Sequence, residues 1–141
     1  MFYGQADHTL DKKGRVTLPS KYRDLLGESF FVLRGFEKCL FVYTEDGFRE
    51  LEDKIKALPI AQGGILQRFV FTNAERVTAD KQGRFVIPPK LREYASLEKD
   101  VVLAGVSSRI EIWDASIYRD YEANMVADMD NLTSMLKELG I

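Results

Sequence analysis

A short, strongly charged segment occurs twice in this 141-residue chain, at a spacing of 69 residues. The copy that begins at Asp11 is DKKGRVTLPSKYR, and the copy that begins at Asp80 is DKQGRFVIPPKLR. The identical charged pairs are Asp11 with Asp80, Lys12 with Lys81, Arg15 with Arg84, Lys21 with Lys90 and Arg23 with Arg92. The period exceeds that of solenoid repeats, and two copies indicate two units related by a pseudo-two-fold axis.

The match continues into the apolar stretches that follow each segment. After a one-residue insertion the spacing becomes 70 residues. The further identical pairs are Val32 with Val102, Leu33 with Leu103, Gly35 with Gly105 and Arg49 with Arg119. So many identities in one register argue against a chance match, and we expect the same succession of elements in both copies.

Each repeated segment begins with a predicted tight turn. Asp11 and Gly14 have the residue types that a type I turn favours at its first and fourth positions, and glycine also tolerates a positive φ. Asp80 and Gly83 occupy the same positions in the second copy. The sequence therefore predicts a tight hairpin at both places, with the Asp and Gly residues ordering each turn.

The residues after each turn alternate as in a half-buried strand. The inward face is predicted to consist of Val16, Leu18, Phe85 and Ile87. The outward face is predicted to consist of Arg15, Thr17, Arg84 and Val86.

Prolines, apolar runs and caps predict the remaining elements. Pro19 and Pro88 can begin helices, so SKYRDLL and PKLREYA are predicted to be short helices. The runs SFFVLR, CLFVY, DVVLAG and RIEIW are typical of strands. Thr44 and Asp114 suit helix N-caps, which predicts helices over EDGFRELEDKIKAL and over the longer ASIYRDYEANMVADMDNLTSMLKEL.

The pattern as a whole predicts a β-rich α+β fold with flanking helices. We expect one unit over residues 5–47, a second over 76–119 and a C-terminal helix over 120–141. Between the units, ILQRFVF fits either a helix or a strand, and its apolar spacing favours a helix. The apolar face of the acidic C-terminal helix is expected to pack or to bind a partner.

Charge is distributed unevenly along the chain. The net charge of -2 and the pI near 5.5 are unusual for a nucleic-acid-binding protein. However, residues 11–23 contain five basic residues against one acidic residue, and residues 80–92 contain four against one. Much of the compensating acid follows Ile110. The local field at the two turns is therefore positive, and the local field is what attracts phosphate.

The turns place cations where they can reach nucleic acid. The candidate binding residues are Lys12, Lys13, Arg15, Lys81 and Arg84. The planar fork of an arginine can bond O6 and N7 of one guanine, with about 1–3 kcal/mol of discrimination. Asp11 and Asp80 are expected to accept from turn amides or to orient the guanidinium. A solvated hairpin tip would explain one such turn, but duplication of charged residues outside the core favours a function.

No grouping of residues predicts catalysis, a metal site or a cofactor. His8 is the only histidine, and no nucleophile, base or metal-ligand set has a recognised spacing. Gly63 and Gly64 lack the following Lys-Ser/Thr of a phosphate-binding loop. Cys39 lies in the apolar strand CLFVY and is expected to be buried. Trp113, in the strand RIEIW, is expected to pack in the core or against another subunit. We therefore do not expect an enzyme or a small-molecule substrate.

The twin segments DKKGRVTLP and DKQGRFVIP resemble the DNA-recognition half of AbrB-type swapped-hairpin proteins. Two such units in one short chain beginning MFYG are similar to the MraZ family of bacterial transcriptional regulators, from Met1 to about Leu139. The resemblance implies two pseudo-two-fold-related swapped-hairpin units of the double-split barrel type. The family's Asp and Arg positions fall on Asp11, Arg15, Asp80 and Arg84.

The resemblance also implies a partner. Members of the family are expected to assemble head to tail into homo-oligomeric rings. They are expected to bind short, G-rich direct repeats of double-stranded promoter DNA upstream of the division and cell-wall gene cluster, usually as repressors. Linked copies that each meet one repeat raise avidity, which compensates for the few basic residues of one chain.

Two other functions stay open. An AbrB-type antitoxin has the same unit, but usually a single copy followed by a disordered tail, whereas the tail here has helical periodicity. A scaffold that assembles only through protein contacts would not need the duplicated basic turns. Without a run of ~20 apolar residues or a signal peptide, a cytoplasmic, nucleoid-associated protein with no membrane partner is expected.

Overall fold

The computed structural model describes residues 1–141 and contains eight strands and six helices. The strands are β1 Gln5–Thr9, β2 Arg15–Thr17, β3 Ser29–Arg34, β4 Leu40–Thr44, β5 Glu75–Thr78, β6 Arg84–Val86, β7 Asp100–Gly105 and β8 Ile110–Asp114. The helices are α1 Ser20–Leu26, α2 Glu45–Lys56, α3 Ile60–Phe71, α4 Pro89–Tyr94, α5 Ala115–Ala127 and α6 Met129–Glu138. Helices hold 43% of the residues and strands 28%, and the antiparallel sheets confirm the expected α+β class. The fold is less β-rich than expected, because the four longer helices α2, α3, α5 and α6 contain more residues than the eight short strands.

The strand that follows each turn does not pair with the strand that precedes it. β1 pairs with β7 and β5 pairs with β3, whereas β2 and β6 pair with each other to form a separate two-stranded ribbon. The prediction of a tight hairpin is therefore right for the turn but wrong for the two strands that flank it, which do not pair with each other. The physical reason is that pairing of strands between the two units buries the apolar faces of both units in one core.

The pseudo-two-fold axis is visible in the strand register. Val16 lies opposite Phe85 in the ribbon, and these residues are equivalent in the repeat. Phe41 lies opposite Glu111 where β4 pairs with β8, and these two are also equivalent. The six-stranded sheet has the order β1-β7-β8-β4-β3-β5, so each unit adds its first strand to the far edge of the other. The two units are thus interlocked.

The main core lies between the ribbon and one face of the sheet. Val16, Leu18, Phe85 and Ile87 are all buried, as the alternation predicted. The ring of Phe85 meets Phe30 of β3 edge to face, with centroids 5.1 Å apart. Helices α1 and α4 contribute to the same core, whereas α2, α3 and α5 contribute to clusters on the other face of the sheet.

Most local predictions are confirmed. The four predicted strands are present as β3, β4, β7 and β8, and the ambiguous segment between the units lies in helix α3. The Thr44 side chain caps α2 by accepting from the Gly47 N–H, and Asp114 caps α5 by accepting from the Ile117 N–H.

The prediction of one long C-terminal helix is wrong. The helix breaks at Asp128, whose φ of -95° and ψ of 50° are not helical, and this break separates α5 from α6. Asp favours local non-helical conformations because its side chain competes for backbone hydrogen bonds. No residue of α6 is buried, so no core packing opposes the break. None of the six helices combines the length and apolar content needed to span a membrane.

The inner face of the ribbon yields a stability prediction. Phe85→Ala should lower the free energy of unfolding by about 3–5 kcal/mol, because it leaves a cavity beneath β6. The matched control Val86→Ala alters the neighbouring, 47% exposed side chain and should cost less than about 1 kcal/mol. Urea denaturation followed by circular dichroism measures both values. Equal losses in the two variants would contradict the assignment of the ribbon's buried face.

Candidate nucleic-acid interface

The ribbon presents a small outward face with an arginine near each end. In the β2–β6 register Arg15 lies opposite Val86, and Arg84 lies opposite Thr17. Arg15 and Arg84 are therefore diagonal neighbours, with Cα atoms about 7–8 Å apart. Their side chains are 29% and 37% exposed. Neither guanidinium is in the interior, and both belong to one surface.

The first turn is ordered by one carboxylate. The backbone N–H of Gly14 donates to the Asp11 carbonyl at 3.0 Å, and Gly14 has a φ of +75°. Asp11 Oδ1 accepts from the backbone N–H groups of Lys13 and Arg15, both at 2.9 Å. Asp11 Oδ2 accepts from Arg15 Nε at 2.6 Å. One side chain therefore holds both the turn amides and the guanidinium.

The second turn repeats this arrangement. Gly83 has a φ of +79° and donates to the Asp80 carbonyl at 2.9 Å. Asp80 Oδ1 accepts from the N–H groups of Gln82 and Arg84, both at 2.9 Å, and Oδ2 accepts from Arg84 Nε at 3.0 Å. Each carboxylate holds only the Nε edge of its arginine. Neither pair of terminal Nη groups makes a hydrogen bond within the chain, so two N–H forks are free to meet a ligand.

Hydrogen bonding lowers the pKa of both carboxyl groups. For Asp11 the largest cause is the backbone N–H of Arg15, followed by its side chain. For Asp80 the largest cause is the backbone N–H of Arg84, and partial desolvation opposes the shift. Both groups are therefore charged carboxylates at neutral pH and can act only as acceptors.

The two turns flank the ribbon. The carbonyl of Gly14 accepts from the Ile87 N–H at 3.0 Å, and the carbonyl of Gly83 accepts from the Leu18 N–H at 2.9 Å. Four residue steps along a strand and one strand spacing place these glycines roughly 14 Å apart. The side chains predicted to reach nucleic acid from the turns are exposed and form no ion pair within the chain: Lys12, Lys13 and Lys81.

Two further arginines lie against the turns, and neither belongs to the predicted site residues. Arg23 of α1 donates from Nη2 to the Lys81 carbonyl at 3.0 Å, and its side chain covers Gly83 of the opposite unit. The guanidinium of Arg92, from α4, covers Gly14 in the same way. A Cβ at Gly14 would lie 2.5 Å from that guanidinium, which would have to move aside, and the φ of +75° favours glycine independently of this contact. The sequence feature that could have indicated these residues is that Arg23 and Arg92 are identical at equivalent positions of the repeat.

The residues expected to have structural roles lie in the framework. His8 is in β1, opposite Val101. Cys39 is fully buried, and burial raises the pKa of its thiol to about 12. Trp113 is also buried, and its Nε1 donates to Glu111 at 3.0 Å.

The carboxylate contacts yield a pH prediction. Because the pKa values of Asp11 and Asp80 are lowered in the folded state, the stability that they contribute is present above the unfolded value and is lost as the pH falls through the folded value. Carboxyl NMR titration should give midpoints below 3.8, the ordinary value for aspartate, at both positions. In Arg15→Ala the midpoint of Asp11 should rise only partly, because the backbone N–H remains. A midpoint at or above 3.8 in the unsubstituted protein would contradict the hydrogen-bonding pattern.

Comparison with known proteins identifies the family. A family model described as "MraZ protein, putative antitoxin-like" matches residues 1–63 and 70–138. A transcriptional regulator MraZ of Acetivibrio thermocellus is 43% identical over 143 aligned residues that cover 100% of both chains. Proteins of the same name from Desulfitobacterium hafniense and Alkaliphilus metalliredigens are 44% and 41% identical, again over the full length of each chain. The chain therefore belongs to the MraZ family, as the resemblance of its twin segments predicted.

Proposed function

We propose that this protein is a transcriptional regulator that binds double-stranded DNA sequence-specifically by placing the β2–β6 ribbon in the major groove. The observation that carries the proposal is the pair of outward arginines, each held at Nε by an aspartate and each with free terminal N–H groups. The full-length relatives at about 40% identity are named transcriptional regulators, which supports the same function.

The dimensions of the ribbon suit this groove. The major groove of B-DNA is about 12 Å wide and admits a two-stranded β-ribbon. A ribbon of three residue pairs can present Arg15 and Arg84 to base edges while its turns reach the walls of the groove. Arginine offers the bidentate fork that matches guanine O6 and N7, and aspartate at Nε restricts its orientation before binding. Prior ordering reduces the entropy lost on binding.

The exposed lysines of the turns complete the interface. Lys12, Lys13 and Lys81 lie next to the arginines on the tips that flank the ribbon. Contacts from such side chains to phosphate fix the position of a protein on DNA but carry no sequence information. The acidic C-terminal region keeps the net charge negative, which disfavours DNA on other faces of the molecule.

The finer features of the proposal rest on the resemblance to the family. We propose a homo-oligomeric ring in which neighbouring copies meet G-rich direct repeats in a promoter of the division and cell-wall gene cluster. The protein then acts as a repressor at the nucleoid. The antitoxin alternative is less favoured, because α5 and α6 occupy the region where such an antitoxin has a disordered tail.

The arginines give the central test. Arg15→Ala and Arg84→Ala should each weaken binding to the promoter fragment upstream of the protein's own gene by about 1–3 kcal/mol, roughly 5- to 160-fold. The double variant should give no retarded band at near-physiological salt. Electrophoretic mobility shift with a scrambled fragment as competitor measures the sequence-specific part.

Matched controls exist in the repeat. Arg49→Ala and Arg119→Ala remove another duplicated pair, which lies on α2 and α5 rather than on the ribbon. These variants should bind like the unsubstituted protein, and all four should keep its oligomeric size in sizing chromatography. Normal binding by the Arg15→Ala, Arg84→Ala double variant would refute the assignment of the interface to the ribbon.

The lysines should behave differently from the arginines. Lys12→Ala or Lys81→Ala should weaken binding to promoter and scrambled DNA by a similar factor, because phosphate contacts do not read sequence. Each substitution should also reduce the slope of log affinity against log salt by about 0.9 per lost phosphate contact. Fluorescence anisotropy across a salt series measures this slope. A change confined to the promoter fragment would instead indicate a base contact.

A further inference from the structure

An aliphatic side chain lies unburied on the arginine-bearing face of the ribbon. Val86 is 47% exposed, whereas the residues on either side of it in the chain, Phe85 and Ile87, are 2% and 0% exposed. Val86 belongs to none of the buried apolar clusters. The side chain of Val86 therefore does not contribute to the core of the chain.

The position of Val86 relative to the arginines is fixed by the register. Val86 lies directly opposite Arg15, and Thr17 lies directly opposite Arg84. Directly opposed residues have Cβ atoms about 4.5–5.5 Å apart. Each arginine therefore has one close neighbour on the outward face, an isopropyl group beside Arg15 and a hydroxyl-bearing side chain beside Arg84.

Thr17 and Val86 are equivalent positions of the repeat, so this difference breaks the pseudo-two-fold symmetry of the face. The turns also break the symmetry, since Lys13 of the first turn corresponds to Gln82 of the second. The arginines and aspartates, in contrast, are the same at both ends. The two ends of the ribbon thus present the same charged group in different chemical surroundings.

The major groove offers one partner for an exposed isopropyl group. Thymine projects its C5 methyl group there, and apolar side chains contact this methyl. Successive bases of one strand are about 3.4 Å apart along the axis, which is comparable to the spacing of the Arg15 and Val86 side chains. A guanine bound by Arg15 and an adjacent thymine can therefore be contacted together.

We propose that Val86 reads the C5 methyl group of a thymine beside the guanine bound by Arg15, and that the Thr17–Val86 difference gives the ribbon a direction along the DNA. This inference rests on the proposed function and deepens it. A ribbon with two identical ends would bind an element equally well in either orientation. Unequal ends make the two orientations differ in free energy, so successive copies bind in the same orientation, as direct repeats require.

Base interference on the promoter fragment upstream of the protein's own gene tests the proposal. Uracil in place of thymine removes only the C5 methyl group, and methylation of guanine N7 blocks the arginine contact. With the unsubstituted protein, uracil should weaken binding about three- to fivefold at a thymine adjacent to an N7-sensitive guanine, the effect expected for burial of one methyl group. Val86→Ala should abolish this uracil effect and keep the guanine effect.

Controls separate the possible failures. Thr17→Ala, the equivalent change at the other end, should keep the uracil effect beside the guanine of Arg15. Uracil insensitivity of the unsubstituted protein, with guanine interference intact, overturns the role of Val86 and leaves the proposed function standing. Absence of any retarded band overturns both. A changed oligomeric size in Val86→Ala also overturns the inference, because the side chain then serves contacts between copies.

Discussion

The antiparallel pairing of β2 with β6 is the interaction on which the rest of the structure depends. The ribbon has only three residue pairs, and an isolated ribbon of that size is marginal in water. It is stabilised because its inner face, centred on Val16 and Phe85, is buried against the six-stranded sheet. The same pairing brings Arg15 and Arg84 onto one outward face. Formation of the core and assembly of the candidate DNA-binding surface are therefore a single event.

The aspartates contribute order to that surface more than stability. Ion pairs near the surface typically add ~0–1 kcal/mol to folding. Asp11 and Asp80 nevertheless hold two turn amides and one guanidinium edge each, so the terminal N–H groups of the arginines have few orientations to lose on binding. Arg23 adds a restraint from the opposite unit through the Lys81 carbonyl. The second turn is thus held from both halves of the chain.

The pseudo-two-fold symmetry of this protein is kept by the strand register and by the residues that hold the turns, whereas many other equivalent side chains differ. Val16 faces its equivalent Phe85, and Phe41 faces its equivalent Glu111, so the axis passes through both pairings. On the outward face Thr17 and Val86 differ. Strand pairing depends on backbone hydrogen bonds, so equivalent positions can carry different side chains while the axis is kept. A symmetric framework can therefore support a directional binding surface.

The sequence by itself determined the elements, the repeat and the residues of the turns. Alternation around Arg15, the caps at Thr44 and Asp114 and the turn chemistry of Asp11 and Gly14 are local signals, and local physics sufficed to predict them. Residue patterns alone could not determine which strands pair, since β2 has the same alternation whether it pairs with β1 or with β6. Only the tertiary structure decided that pairing, the covering of Gly14 by Arg92 and the placement of Val86 beside Arg15. These contacts join segments about 70 residues apart. They form because pairing of β2 with β6 across the two units buries more apolar surface in a common core.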